Sequence, residues 1–192
     1  MNMSRDDAAQ ALRDIGDTHD RVRSLQAYKN AAPYFMIWGA VWLIANSAMD
    51  LLPANKGWAW PIASGLGVVA SVLTGWLQNR SRMANPESRR FGRLMGRRFG
   101  FSFLAILGYF MAAGAILAPL AAREVNAFIS LFWAFAYTLA GVWAGWRMAA
   151  VGVVLAGLIL FGYFELHSHY YLWMGMVVGG ALFLAGLWLR KA

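Results

Sequence analysis

The stretch Glu165-Leu166-His167-Ser168-His169 places three groups that can bind a metal or titrate near neutral pH within five residues. In an extended segment alternate side chains share a side, so Glu165, His167 and His169 would face together. Imidazole with carboxylate suits Zn²⁺ or Cu²⁺, and a free imidazole titrates near pH ~6.5. The pattern therefore reads as a pH-sensing or cation site, or as ordinary loop residues. Asp50 is the other candidate for the same role, because it is the carboxylate closest to the body of an apolar run, with Asn46 and Ser47 one turn earlier. It also reads as a helix-end acid before Pro53 that reaches water.

A third cluster is basic. RSRMANPESRRFGRLMGRRFG, residues 80 to 100, sets seven arginines against Glu87 alone. Asn85-Pro86-Glu87 is a helix-start signature, with Pro in the first turn and an acid at the positive end of the helix dipole. From there Phe91, Leu94 and Met95 make an apolar edge, and Arg89, Arg90, Arg93, Arg97 and Arg98 supply the charge. A basic amphipathic helix at a membrane surface attracts anionic headgroups, at about 1 kcal/mol per residue. These arginines are the candidate lipid- or partner-binding residues. Nucleic acid is not expected despite the pI of about 10.3, since no known nucleic-acid fold fits in that length.

These clusters sit between long apolar runs. Of the 192 residues 60% are hydrophobic and 14% charged, with ten Trp, twelve Phe and twenty Gly. Bilayer-embedded helices have this composition, with aromatics at the interfaces and Gly where backbones approach. A membrane helix needs about 20 apolar residues to cross ~30 Å of hydrocarbon. Six segments meet that length: 31–52, 58–78, 99–122, 126–146, 148–165 and 170–189. PANKG, the Arg-rich loop 79–98, Arg123-Glu124, Arg147 and ELHSHY separate them. Residues 148 to 164, MAAVGVVLAGLILFGYF, carry no polar stripe at the helical period, unlike a helix on a soluble core, and no polar alternation, unlike a barrel strand.

Of the seventeen Lys and Arg residues, all but Lys56 and Arg123 fall in the N-terminal segment, alternate loops and the tail. Cytoplasmic loops keep such an excess, so both termini are expected in the cytoplasm and the protein in the inner membrane as a multi-pass protein. The fold class expected is all-α: a polytopic membrane protein of six transmembrane helices arranged as three hairpins, spanning residues 31 to 190. The even-numbered segments end alike, LTGWLQNR, LAGVWAGWR and LAGLWLRK. That pattern follows from a threefold hairpin repeat, or from the general preference for Trp and Arg at the inner interface.

Odd helices of the type YFMIWGAVWLIANSAMDLLP, even helices ending in Gly-x-Trp and Gly-rich seams resemble the HdeD family of six-span bacterial stress and acid-resistance membrane proteins. The resemblance spans residues 31 to 190 and implies a stress-response setting. It brings no site residues with it.

Residues 1 to 30 form a charged extension without the apolar core of a secretory signal, and are expected to stay on the chain. Ser4 with Asp7 and Asp17 with Asp20 resemble helix starts, and Gly16 a stop. Two short amphipathic helices are expected, offering residues 5 to 28 to a protein partner. With no cysteine, thiol chemistry and disulfides are excluded. No Walker loop, zincin helix or nucleophile elbow appears, so neither an enzyme nor a cofactor is expected. The reading is a non-enzymatic accessory, stress-response or regulatory protein, for which a homo-oligomer is one expected assembly. A small transporter or channel is the alternative, its path lined by small and hydroxylic residues.

Overall fold

The computed structural model describes residues 5–52, 56–82, 101 and 104–191, which are helical almost throughout and contain no strand. Six helices follow in order: α1 (Arg5–Leu51), α2 (Lys56–Arg82), α3 (Leu104–Leu117), α4 (Ala122–Ala144), α5 (Trp146–Glu165) and α6 (Tyr170–Arg190). In four of them Gly57–Arg80, Ala122–Ala144, Trp146–Glu165 and Tyr170–Arg190 are long and apolar enough to cross a membrane, while α3 is shorter.

The exposed surface shows what surrounds these helices. On α5 the buried residues Met148, Val151, Leu155 and Ile159 recur at helical spacing, and Val153, Val154, Phe161 and Phe164 are exposed on the other side. The outward face is as apolar as the inward one. Water would leave such a surface unsatisfied by any partner, whereas lipid tails solvate it, and the molecule is accordingly read as a membrane protein.

Where α1 meets α6 the backbones touch. A Cβ placed on Gly39 would lie 2.5 Å from the Phe183 nitrogen, and one on Gly179 would lie 2.7 Å from the Leu43 nitrogen. Gly141 and Gly152 serve α4 and α5 in the same way, against Ala149 and Thr138. These closest seams join helices that belong to different expected hairpins. α3 packs on α4 through Phe110, stacked 4.0 Å from Phe128. α2 lies against α1, leaving an apolar groove of about 870 Å³ lined by residues such as Ile44, Trp58, Ile62 and Leu66.

Three expectations about element ends are corrected. The N-terminal extension is not two helices, because α1 runs without a break through Gly16 and Pro33 to Leu51. Gly within a helix costs only about 1 kcal/mol, too little to stop one this long, and Thr18 turns its hydroxyl back onto the Asp14 carbonyl at 2.7 Å. Arg123-Glu124 is not a loop but the first turn of α4, where Glu124 Oε2 accepts the Ala121 N–H at 2.8 Å. The break between α4 and α5 falls at Gly145, with φ 116°, and Arg147 lies inside α5.

Candidate functional site

Trp42, Asn46 and Asp50 are spaced four apart on α1, so they share one face, and that face turns toward α4 and α6. Asn46 is fully buried, and Asn126 in the second turn of α4 nearly so. Their side chains meet. Tyr170, the first residue of α6, donates its hydroxyl to Asn126 Oδ1 at 2.9 Å; Asn126 Nδ2 donates to Asn46 Oδ1 at 3.0 Å; Asn46 Nδ2 donates to the Trp42 carbonyl at 3.1 Å. The result is a one-way chain of hydrogen bonds through three helices, in which each amide both accepts and donates.

Arg123 closes the chain from above. Its Nη2 donates to the Tyr163 carbonyl at 2.7 Å, and its guanidinium lies 4.7 Å from the Tyr163 ring centre and 5.6 Å from that of Tyr170. Cation–π attraction and a backbone hydrogen bond thus hold the arginine over the rings without a carboxylate partner among the described residues. Asp50 is placed one turn beyond Asn46 and takes the Leu172 N–H on Oδ2 at 2.8 Å. The opening turn of a helix carries N–H groups with no helical partner and a positive dipole end. His169 at the start of α6 offers no side-chain cap, so the cap comes from α1 instead.

Immediately after this turn, Met174–Gly179 forms a π-helical segment inside α6. It coincides with the contact with α1, where Gly175 lies against Ser47, whose buried hydroxyl has no hydrogen-bond partner among the described residues. Trp173 fixes the other side of α6 by donating Nε1 to the Leu158 carbonyl of α5 at 2.9 Å.

The remaining candidates are placed differently. Glu165, His167 and His169 are exposed at the α5–α6 turn, and among the described residues no three His, Asp or Glu side chains converge as a metal set. Asp50 is engaged with α6. Arg89, Arg90, Arg93, Arg97 and Arg98, with most of the 79–98 loop, lie outside the described residues.

At the opposite end of the bundle Arg147 lies over Trp188 of α6 at 5.2 Å and over Tyr28 of α1 at 5.9 Å. Gly145 is pressed against the Tyr28 hydroxyl. Two polar and aromatic clusters therefore grip α1, one around Asn46 and Asp50 and one around Tyr28. The first joins hydroxyl, amide, guanidinium and carboxylate groups to one another or to backbone, and the second sets a guanidinium over aromatic rings; each ties α1 to the helices around it.

The sequence reading singled out Asp50 and missed Asn126, Tyr170 and Arg123. One signal was available: Asn46 and Asn126 are asparagines set in strongly apolar surroundings, and polar groups there demand partners. Comparison with protein-family models, with characterised proteins and with solved structures gives no match for the chain.

Proposed function

We propose that the protein is a six-span inner-membrane protein with both termini in the cytoplasm, acting as a non-enzymatic accessory or regulatory protein that presents the first half of α1 to a partner. The observation that carries this reading is the continuity of α1 from Arg5 to Leu51. At 1.5 Å per residue its 47 residues extend about 70 Å, more than twice the ~30 Å hydrocarbon thickness. From Tyr28 onward the helix is packed, and before it Gln10, Asp14, Thr18, Arg21 and Val22 are exposed. A rigid helix thus projects from a fixed base, which is a geometry for docking rather than for a tether.

Six spans are supported by adding the second half of α1 and α3 to the four longer apolar helices. Alternating crossings then carry Arg80, Arg147, Arg190 and Lys191 to one end and leave Lys56 and Arg123 at the other, a basic excess of the kind that the positive-inside rule assigns to the cytoplasm. The arginines of the 79–98 loop belong with the first end and add attraction for anionic lipid or an acidic face of the partner. A stress-response setting rests on the likeness to the HdeD family alone. The alternative of a solute path gains little from the described interior, where the large groove is apolar and open along α1 and α2, and a void of only about 10 Å³ lies among Trp38, Trp42, Trp133 and Tyr137.

The chain has no cysteine, so single cysteines can be introduced on a clean background. His167→Cys should react with a membrane-impermeant maleimide in intact cells, and Lys191→Cys only after permeabilisation; the reverse would sink the orientation. For the docking role, proteins co-purifying with the full chain should be lost when residues 1 to 22 are removed, a cut that spares Tyr28. Identical sets of co-purifying proteins would count against it.

A further inference from the structure

Arg147 differs from Arg123 in one respect. Both guanidiniums lie over aromatic rings, but Arg123 also donates to a carbonyl, whereas Arg147 has neither a carboxylate nor a carbonyl partner among the described residues. A guanidinium is planar: rings occupy its faces and its five N–H donors point outward in the plane. Half-buried beside Tyr28 and Trp188, Arg147 is a fixed fork of donors without an acceptor among the described residues. Such forks match the oxygens of a phosphate.

A second cation stands nearby. Lys191 closes the last turn of α6, its N–H donating to the Trp188 carbonyl at 3.3 Å, and three residues on from Trp188 it shares that helix face. The face of α6 that carries Trp188 therefore also carries Lys191, and Arg147 lies over the Trp188 ring. Trp146, 69% exposed, meets Trp188 edge to face at 5.8 Å. Paired indoles beside cations mark the level of the headgroups, where an amphipathic ring has one end apolar and the other wet. Leu184 lies one turn before Trp188 on α6, and Val153 and Val154 two turns after Trp146 and Arg147 on α5; all three are exposed and apolar, a surface for acyl chains on the same helix faces.

We propose that this end of the bundle seats the phosphate of an anionic phospholipid, held by Arg147 and Lys191, with the indoles of Trp146 and Trp188 beside it and its chains against the exposed face below. The site rests on the membrane-spanning reading above, but it is distinct from the Arg-rich loop and from the docking role of α1. Free phosphate would use the same donors; the apolar surface adjoining the cations favours the lipid.

The test uses the full chain purified in detergent and exposed to equal amounts of phosphatidylglycerol and phosphatidylcholine, with bound lipid counted by native mass spectrometry. The wild-type chain should retain phosphatidylglycerol in preference, and Lys191→Gln should lower that retention by about fivefold while leaving phosphatidylcholine unchanged. Arg147→Gln should lower it further. Arg190→Gln removes an equal charge from the other side of α6 and should change it little. Lys191→Gln and Arg190→Gln are exposed changes, so the comparison stands even where Arg147→Gln destabilises the bundle. Equal losses in those two variants would reduce the effect to general surface charge and overturn the site. So would equal retention of the two lipids by wild type, or displacement of the lipid by millimolar inorganic phosphate. The cysteine-labelling experiment is independent of all three outcomes, so failure here leaves the topology standing.

Discussion

The carboxylate of Asp50 on α1 accepts the backbone N–H of Leu172 in the first turn of α6, across 122 residues of sequence, at 2.8 Å. A cap is ordinarily supplied by the residue that begins the helix. Here it is supplied by a different helix, so the start of α6 is tied to α1. The same α1 face carries Asn46, and through Asn126 and Tyr170 the ends of three helices are fixed as a unit.

Asp50→Asn keeps an acceptor near Leu172 N, whereas Asp50→Ala removes it. Losing a cap costs about 1 kcal/mol. Asp50→Ala should therefore lower the thermal midpoint in detergent by a few degrees, and Asp50→Asn by clearly less. Equal losses would show that the carboxylate's role lies elsewhere than in capping α6.

Asn46 and Asn126 should be energetically coupled. Asn126→Ala leaves both the Asn46 oxygen and the Tyr170 hydroxyl buried and unpaired, at a cost of about 1–3 kcal/mol. Once Asn126 is gone, Asn46→Ala removes a group that has already lost its partner. The double variant should then fall short of the summed single losses by at least ~0.5 kcal/mol, read from denaturant or SDS unfolding of the four proteins. Strict additivity would mean that the two amides do not share a bond in the folded protein.

The apolar runs, the break at 166–169 and the helical class were legible in the sequence, because bilayer thickness imposes a length and turn residues punctuate it. The inward faces were not. On α5, Val151 and Leu155 are buried while Val153 and Leu160 are exposed, and nothing in residue type distinguishes them when both core and lipid are apolar. Glycine is no guide either, since Gly152 and Gly162 lie against Thr138 and Trp173 while Gly157 on the same helix faces open space. Continuity of α1 was hidden for another reason: Gly16 and the Asp17–Asp20 spacing are weak local signals, overridden by propagation of a helix already begun. Arg123-Glu124 misled because a polar pair marks a helix start as readily as a loop. The Asn46–Asn126 pair joins positions 80 apart, a relationship that no local pattern encodes.

Along the α1–α6 seam the glycines are not interchangeable with alanine. At Gly39 an added Cβ meets the Phe183 backbone, which cannot rotate away, so Gly39→Ala should push the two helices apart and lower stability by about 1–3 kcal/mol. Gly157 on α5 has nothing within 4 Å of that position. Gly157→Ala should be neutral, or stabilising by about 0.5–1 kcal/mol through reduced backbone freedom in the unfolded chain. Thermal midpoints that move alike for the two substitutions would contradict the close approach.

The last prediction concerns how the projecting half of α1 is tied to the rest. Gly145 joins α4 to α5 at φ 116°, a conformation that side-chain-bearing residues rarely adopt, and its missing Cβ leaves room for the Tyr28 hydroxyl. Gly145→Ala therefore meets two obstacles. One is backbone strain of about 1–3 kcal/mol, which no second change removes. The other is steric and local: the nearest atom to the added Cβ is the Tyr28 oxygen, with the ring carbon bearing it 3.0 Å away. Tyr28→Phe deletes that oxygen while keeping the ring beside Arg147. The double variant Gly145→Ala with Tyr28→Phe should thus recover part of the stability lost in Gly145→Ala alone, though not all of it. Partial rescue, measured as the thermal midpoint in detergent, would establish that Tyr28 rests on the α4–α5 joint. That contact gives the first half of α1 a rigid base, so a load applied there would push directly on the joint between α4 and α5.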